Sequence, residues 1–262
     1  MVRLQIVGGG RMGEALLSGL LAAGWAAPSE LAVVEALPAR REELAERYPD
    51  VAVSGACVAG DGTVVAVKPA DVADACRAAA AAGTGRLLSI AAGVRLATLE
   101  GAAGDAVAVV RAMPNTPALV GAGVAALAAG RAASEDDLVW AEGVLGAVGT
   151  VVRVAEPLLD AVTGVSGSGP ASLFLVPEAL IEGGVLAGLP RDVSSTLAIH
   201  TVLGAGRLLV ESGESPEVLR AAVTSPGGTT AAGLRALEAA GVRAALLDAV
   251  TAATERSRQL GG

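Results

Sequence analysis

Residues 223–230, Val-Thr-Ser-Pro-Gly-Gly-Thr-Thr, gather the groups with which this chain could grip a small anion. Thr224, Ser225, Thr229 and Thr230 place four hydroxyls within seven residues. Pro226 holds Ser225 in an extended conformation. Gly227 and Gly228 allow φ > 0, so that successive N–H groups can converge. A helical pattern opens at about Thr229, with Leu234 and Leu237 on its face and Gly241 as its stop. Free amides, a positive helix end and hydroxyls together form a receptor for a small carboxylate. The same residues also read as an ordinary capped helix start, so the rest of the chain must decide.

A second constellation opens the chain. Leu4-Gln5-Ile6-Val7 reads as a short strand running into Gly8-Gly9-Gly10-Arg11-Met12-Gly13, and helical spacing continues through Leu16, Leu17, Leu20 and Leu21 to Gly24. With 35 glycines in the chain, a bare G-x-G-x-x-G arises easily. Its position between a strand and a helix gives it meaning. Gly8 permits the turn, Gly10 lets a pyrophosphate approach the backbone, and Gly13 lets helix and strand pack closely. The next strand, Leu31 to Val34, ends at Glu35, 22 residues past Gly13. A carboxylate there accepts from ribose hydroxyls and favours NAD. Arg40 and Arg41 stand close behind and suit a 2′-phosphate, or simply open the helix from Pro38 to Tyr48 as solvated charges. The choice between NADH and NADPH stays open at this stage.

Thr63 to Val67 reads as a buried parallel strand that stops at Lys68-Pro69, the only lysine of the chain. Strand ends of this kind are where open α/β sheets bind ligands. Two loops follow later strands: Ala91-Ala92-Gly93, and Met113-Pro114-Asn115-Thr116-Pro117. The second is either a stiff turn or a wall of a nicotinamide pocket.

These groups need a scaffold. Further β-type runs at 86–90, 106–110 and 124–127, with helical stretches at 71–82, 95–102 and 134–146, predict a doubly wound parallel sheet. From about Pro157 the alternation ends, and helices are expected at 157–164, 168–188, 191–212, 215–222, 229–240 and 242–259, with Pro177 kinking the second. The predicted organisation is an α/β dinucleotide-binding domain over residues 1–156 and an all-α domain over 157–262. The helical half has apolar faces to spare, which calls for a partner chain.

Composition narrows the function. The chain is 53% hydrophobic, 2% aromatic and carries a net charge of −8, which argues against a nucleic-acid partner. The longest uncharged run, Ala112 to Gly130, contains Pro114, Asn115, Thr116 and Pro117 and is a poor membrane span. No targeting segment is expected at the N-terminus. Cys57 and Cys76 lack metal-ligand spacing, and no metal site is expected. His200, the only histidine, sits mid-helix without triad partners. These readings predict a soluble, cytoplasmic protein that binds no membrane.

In order, these pieces resemble the pyrroline-5-carboxylate reductase family. The motifs that carry the resemblance are Ala-Val-Lys-Pro (66–69), Arg-Ala-Met-Pro-Asn-Thr-Pro (111–117), Asp-Ala-Val-Thr-Gly-Val-Ser-Gly-Ser-Gly-Pro-Ala (160–171) and Ser-Pro-Gly-Gly-Thr-Thr (225–230). The resemblance spans nearly the whole chain. It implies a Rossmann domain, an all-helical dimerisation domain with interlocked helices, and NAD(P)H-dependent reduction of the cyclic imine 1-pyrroline-5-carboxylate to L-proline, the last step of proline biosynthesis. It places NADPH or NADH in the turn Val7, Gly8, Gly9, Gly10, Arg11, Met12, with Gly13 behind it. Ala66, Val67, Lys68, Pro69, Ala92 and Gly93 then lie near the nicotinamide, and Asn115 nearby. It assigns Ser225, Thr229 and the Gly227–Gly228 backbone to the substrate carboxylate, Thr230 to the ring nitrogen as the catalytic contact, and Glu156 to the vicinity of the substrate. Two positions depart from the family pattern: Ser172 where tyrosine is usual, and Ala222 where an amide is common. The chemistry suits this inventory, because a protonated imine is its own electrophile and the protein need only supply position. A β-hydroxyacid dehydrogenase would need a lysine in the helical half, and there is none. A non-catalytic dinucleotide sensor would not need the second, carboxylate-binding motif.

Overall fold

The computed structural model describes residues 1–261 in two compact units, one formed by residues 1–168 together with the C-terminal stretch from Ala252, the other by Gly169–Thr251. The first unit is built on an eight-stranded sheet: β1 (Val2–Val7), β2 (Leu31–Val34), β3 (Ala52–Ser54), β4 (Gly60–Val65), β5 (Arg86–Ser89), β6 (Ala108–Pro114), β7 (Gly123–Ala129) and β8 (Gly149–Arg153). The spatial order is β3-β2-β1-β4-β5-β6-β7-β8. Helices α1 (Arg11–Ala22), α2 (Pro38–Arg47), α3 (Val72–Ala81), α4 (Leu96–Ala103) and α5 (Glu135–Gly146) cover it.

Alternation along the strands explains why both faces are covered. Successive side chains point to opposite faces, so Val64, Leu88 and Val110 join Ile6, Leu16, Leu17, Leu20 and Leu145 in one core. Their chain neighbours Val65, Leu87 and Val109 join Val72, Cys76, Ala79 and Leu99 in the other. The polar residues Gln5, Thr63 and Thr84 are buried between strands but bond one another: Gln5 Nε2 donates to Thr63 Oγ1 at 2.9 Å, and Thr63 Oγ1 to Thr84 Oγ1 at 2.9 Å. Strand order reverses between β1 and β4, since β1 pairs with β2 on one side and with β4 on the other. The crevice at their C-terminal ends is the topological switch point of such a sheet.

The sheet departs from the sequence expectation in three ways. β6 and β7 pair antiparallel, so the sheet is mostly rather than wholly parallel. Two strands were not anticipated: β3, a three-residue edge beside β2, and β8, the other edge. β4 starts at Gly60 and ends at Val65, and β6 runs on into Pro114.

Residues 156–168 remain with the sheet unit. A turn at Glu156–Leu158, helix α6 (Leu159–Val162) and a π-turn (Thr163–Gly167) follow one another, and buried Leu159 packs in the second core. The contact division therefore falls at 168/169, later than the expected 156/157, and the end of the last helix returns to the first unit.

The second unit comprises α7 (Gly169–Leu186), α8 (Arg191–Ser212), α9 (Pro216–Ala222), α10 (Thr229–Ala239) and the first part of α11 (Val242–Leu260). A four-residue link joins α7 to α8. Ser194 Oγ donates to Ile181 O at 2.8 Å, and Gly184 gives Ser194 room that a Cβ would take. Pro177 lies inside α7, which is assigned as one continuous helix. This unit carries little core of its own: Leu173, Phe174, Leu175, Leu180, Leu197, Ile199, Leu203 and Leu208 are all exposed. By length and composition alone, the segments Glu156–Leu186 and Arg191–Ser212 pass as membrane-spanning. Exposed apolar surface on this scale needs a cover.

Candidate active site

The glycine turn forms where β1 meets the switch point. Gly8 has φ +105°, its N–H donates to Val34 O at 2.8 Å, and a Cβ there would come within 2.6 Å of Ala66 O. A Cβ on Gly9 would meet Leu44 Cδ1 at 2.5 Å, and one on Gly13 would drive into the Gly8 carbonyl. Gly10 differs: nothing lies within 4 Å of its ideal Cβ position. It is also the N-cap of α1, with no side-chain cap. The helix start thus opens onto free space, as a diphosphate binding at a helix N-terminus requires. Arg11 is exposed and Met12 half-buried against the first core.

Glu35 holds this turn. Its Oε2 accepts from Gly9 N–H at 2.9 Å and its Oε1 from Leu37 N–H at 2.9 Å. Arg40 donates from Nε to Gly9 O at 2.9 Å and pairs with Glu14 and Glu43. Arg41 Nη1 donates to the carbonyls of Glu35 and Ala36, both at 2.9 Å. Both arginines are therefore structural props of the loop as well as cations beside it, and neither is a merely solvated charge. Burial raises the pKa of Glu14, but hydrogen bonds from Arg40 and Arg47 outweigh it and hold the carboxyl below its ordinary value.

Beyond β4, Ala66 and Val67 are half-buried, and Lys68 and Pro69 exposed. Ala92 is exposed and Gly93 adopts φ +76°. Pro69, Ala92 and Gly93 share the wall of a cavity of about 700 Å³ with Thr163, Ser168, Arg256 and Ser257. The last four were missed in the sequence. The Ser-Gly-Ser-Gly motif gave a signal for Ser168, but nothing local marks the end of α11. That end is tied down by Arg95 Nε donating to Gly261 O at 3.0 Å and Ser257 Oγ donating to Asp160 Oδ1 at 2.7 Å.

Neither Asn115 nor Glu156 is among the residues that line this cavity. Asn115 is 8% exposed; its Oδ1 accepts from Val124 N–H at 2.9 Å and its Nδ2 donates to Ser166 O at 3.1 Å. Glu156 Oε1 accepts from Leu96 N–H at 2.6 Å, at the start of α4, and from buried Arg111 Nη1 at 2.9 Å. Both side chains are thus engaged by the protein itself.

In the second unit, Gly227 has φ +68° and Gly228 is the N-cap of α10, again without a side-chain cap. Ser225 O accepts from Gly228 N–H at 3.1 Å, and Ser225 Oγ lies where a Gly228 Cβ would point. Ser225 and Thr229 are exposed and Thr230 half-buried at the helix start. Thr224 is used otherwise, its Oγ1 donating to Arg220 O at 2.6 Å. The turn therefore presents α10's first N–H groups with three hydroxyls beside them, which suits a carboxylate. His200 is exposed on α8. Among the described residues no cluster suits a metal ion.

Comparison with known proteins matches both halves of the chain. Residues 156–260 match the family described as pyrroline-5-carboxylate reductase dimerisation, and residues 3–93 match NADP oxidoreductase coenzyme F420-dependent. Pyrroline-5-carboxylate reductase of Synechocystis is 48% identical over 99% of this chain and 98% of its own length. The structure of a pyrroline-5-carboxylate reductase from Coxiella burnetii is 34% identical with a TM-score of 0.94, covering 100% of this chain and 99% of that one. The Plasmodium falciparum pyrroline carboxylate reductase with NADP bound is 28% identical with a TM-score of 0.85, covering 100% and 98%. A chain that shares this identity from end to end, with both halves matched in order, belongs to the pyrroline-5-carboxylate reductase family.

Proposed function

We propose that this protein reduces 1-pyrroline-5-carboxylate to L-proline with NADPH or NADH, as a cytoplasmic homo-oligomer of at least two chains. The observation that carries the proposal is the pair of uncapped helix starts behind glycines, α1 at Gly10 and α10 at Gly228. One suits a diphosphate and the other a carboxylate, and a reductase of an acidic imine needs both.

The residues divide the work. Val7 to Gly13 and the N-terminus of α1 hold the diphosphate, and Glu35 faces the adenosine ribose. Ala66 to Pro69 with Ala92 and Gly93 border the nicotinamide. When bound, the cofactor supplies the hydride that reduces the imine carbon. Ser225, Thr229 and the Gly227–Gly228 amides pin the carboxylate, and Thr230 Oγ1 accepts the hydrogen bond of the protonated ring nitrogen. No protein acid is required, since the nitrogen carries its proton from the start and keeps it as the amine. Glu156 acts through Arg111 and Leu96 rather than by touching substrate. Division of the chain at 156/157, next to the start of the dimerisation match at residue 156, is part of the proposal. So is a second copy, rather than lipid or nucleic acid, as the cover for the apolar faces of α7 and α8.

Thr230→Val tests the assignment. It keeps the shape and removes one hydrogen bond to a charged partner, worth roughly 1.5–3 kcal/mol, or about ten- to a hundredfold in kcat/KM. Cofactor affinity should hold. Unchanged kinetics with a lowered Tm would make Thr230 a helix opener and nothing more.

A further inference from the structure

The π-turn at Thr163–Gly167 is the one irregular stretch in the helical path from Leu159 to Leu186, closed by Ser168 N–H donating to Thr163 O at 2.8 Å. Such insertions are often found at functional sites. Its cause is local. In a regular helix the carbonyl of Ser166 would accept from the residue four places on, which is Pro170 and has no N–H. The missing donor comes from another part of the chain: Asn115 Nδ2 at 3.1 Å. The same amide's oxygen is held by Val124 N–H, so Asn115 cannot turn without losing two bonds. A second contact backs it, since Gly167 lies so close to Met113 that a Cβ would sit 2.6 Å from its Cε.

Thr163, the first residue of this turn, and Ser168, which closes it, line the cavity shared with Pro69, Ala92 and Gly93. We propose that Asn115 is a positioning residue: by supplying the donor that Pro170 lacks, it fixes the π-turn and so sets the cavity wall on the nicotinamide side, acting on cofactor and imine only through it. It touches neither. The inference rests on reading that cavity as the reacting end of the site. It replaces direct cofactor contact by Asn115 with an effect carried through the Ser166 carbonyl.

Asn115→Asp is the direct test. It keeps the side-chain volume and an acceptor for Val124 N–H, but sets an oxygen against the Ser166 carbonyl. Displacing a wall of a reacting site by a fraction of an ångström to an ångström costs about ten- to a hundredfold in turnover. The measurements are kcat for imine reduction per folded site, NADPH Kd by fluorescence, and Tm. The expected result is a fall of roughly tenfold or more in kcat with the NADPH Kd within about twofold of wild type. A kcat within twofold of wild type in the folded variant would overturn the inference. So would a loss accounted for by weakened NADPH binding, which would make Asn115 a contact residue. If Asn115→Asp does not fold, Gly167→Ala decides in the same way, because its Cβ needs only the flexible tip of Met113 to yield while pushing on the same turn. Wild-type protein inactive on the imine would instead sink the reading of the whole site.

Discussion

Gly228→Ala separates carboxylate binding from folding. Gly228 has φ −76° and ψ 174°, a conformation open to any L-residue, so alanine brings no backbone strain. Its Cβ would enter the space of Ser225 Oγ and stand 3.2 Å from Ser225 O. The hydroxyl is the end of a one-bond side chain and can rotate away, so the turn survives while the hydroxyl leaves the mouth of α10. If that hydroxyl binds the substrate carboxylate, the loss is a hydrogen bond to a charged group, roughly 1.5–3 kcal/mol. That corresponds to about ten- to a hundredfold in kcat/KM for the imine. Alanine in place of glycine at an N-cap costs at most about 1 kcal/mol, a Tm shift of roughly 2–4 °C in a chain of this size. Gly227→Ala acts differently: its surroundings are open, but φ is +68°, so it should cost about 1–2 kcal/mol of strain, and because its amide belongs to the same receptor the loss should show in stability and in imine binding together. The assay is steady-state kinetics with imine varied at saturating NADPH, beside Tm and NADPH affinity. A kcat/KM within twofold of wild type in folded Gly228→Ala would refute the role of Ser225.

Glu35→Gln sets an amide NH₂ against one of the two backbone donors that the carboxylate now accepts, Gly9 N–H and Leu37 N–H, and removes the charge beside a 2′-phosphate. Affinity for NADH should fall more than for NADPH; an unchanged ratio of kcat/KM for the two would contradict this, as would a thousandfold wild-type preference for NADPH. Stability should depend on acid through Glu14: its folded pKa is depressed, so its contribution is present above the ordinary value of 4.5 and lost as pH falls through the folded value. Glu14→Gln should flatten the urea midpoint against pH in that range, and parallel curves would exclude the effect. Light scattering at micromolar concentration should give at least a dimer mass; a monomer would leave the apolar faces of α7 and α8 unexplained.

Much of the plan was legible in the sequence where a local rule governs. The strand Leu31–Val34 and the helix start at Pro38 follow from an apolar run and a proline. The later helices follow the expected ranges closely, and Gly188, Gly213 and Gly241 have positive φ just past their ends. But the stretch 157–164, expected as one helix, is a turn, a four-residue helix and the start of a π-turn. What escaped depends on distant partners. Gly60-Asp61-Gly62 has no strand propensity and joins β4 because Val2 and Leu4 pair with it. β3 is too short and exposed to declare itself, and β8 exists as a strand beside β7. Asn115 was visible as a polar residue between prolines, but not its bond to Ser166, 51 residues away. Glu156 was marked as important, yet its link to Leu96 across 60 residues could not be foreseen. The place of Arg256 and Ser257 on the cavity depends on α11 returning to the first unit.

The central claim is that both anion receptors serve one reaction, and oxidation of reduced nicotinamide followed by absorbance tests it most directly. Purified protein with NADPH or NADH should show no oxidation alone and rapid oxidation on addition of 1-pyrroline-5-carboxylate, with L-proline formed in equal amount. Cofactor binding without imine-dependent oxidation, under conditions where the protein is folded and oligomeric, would contradict the account.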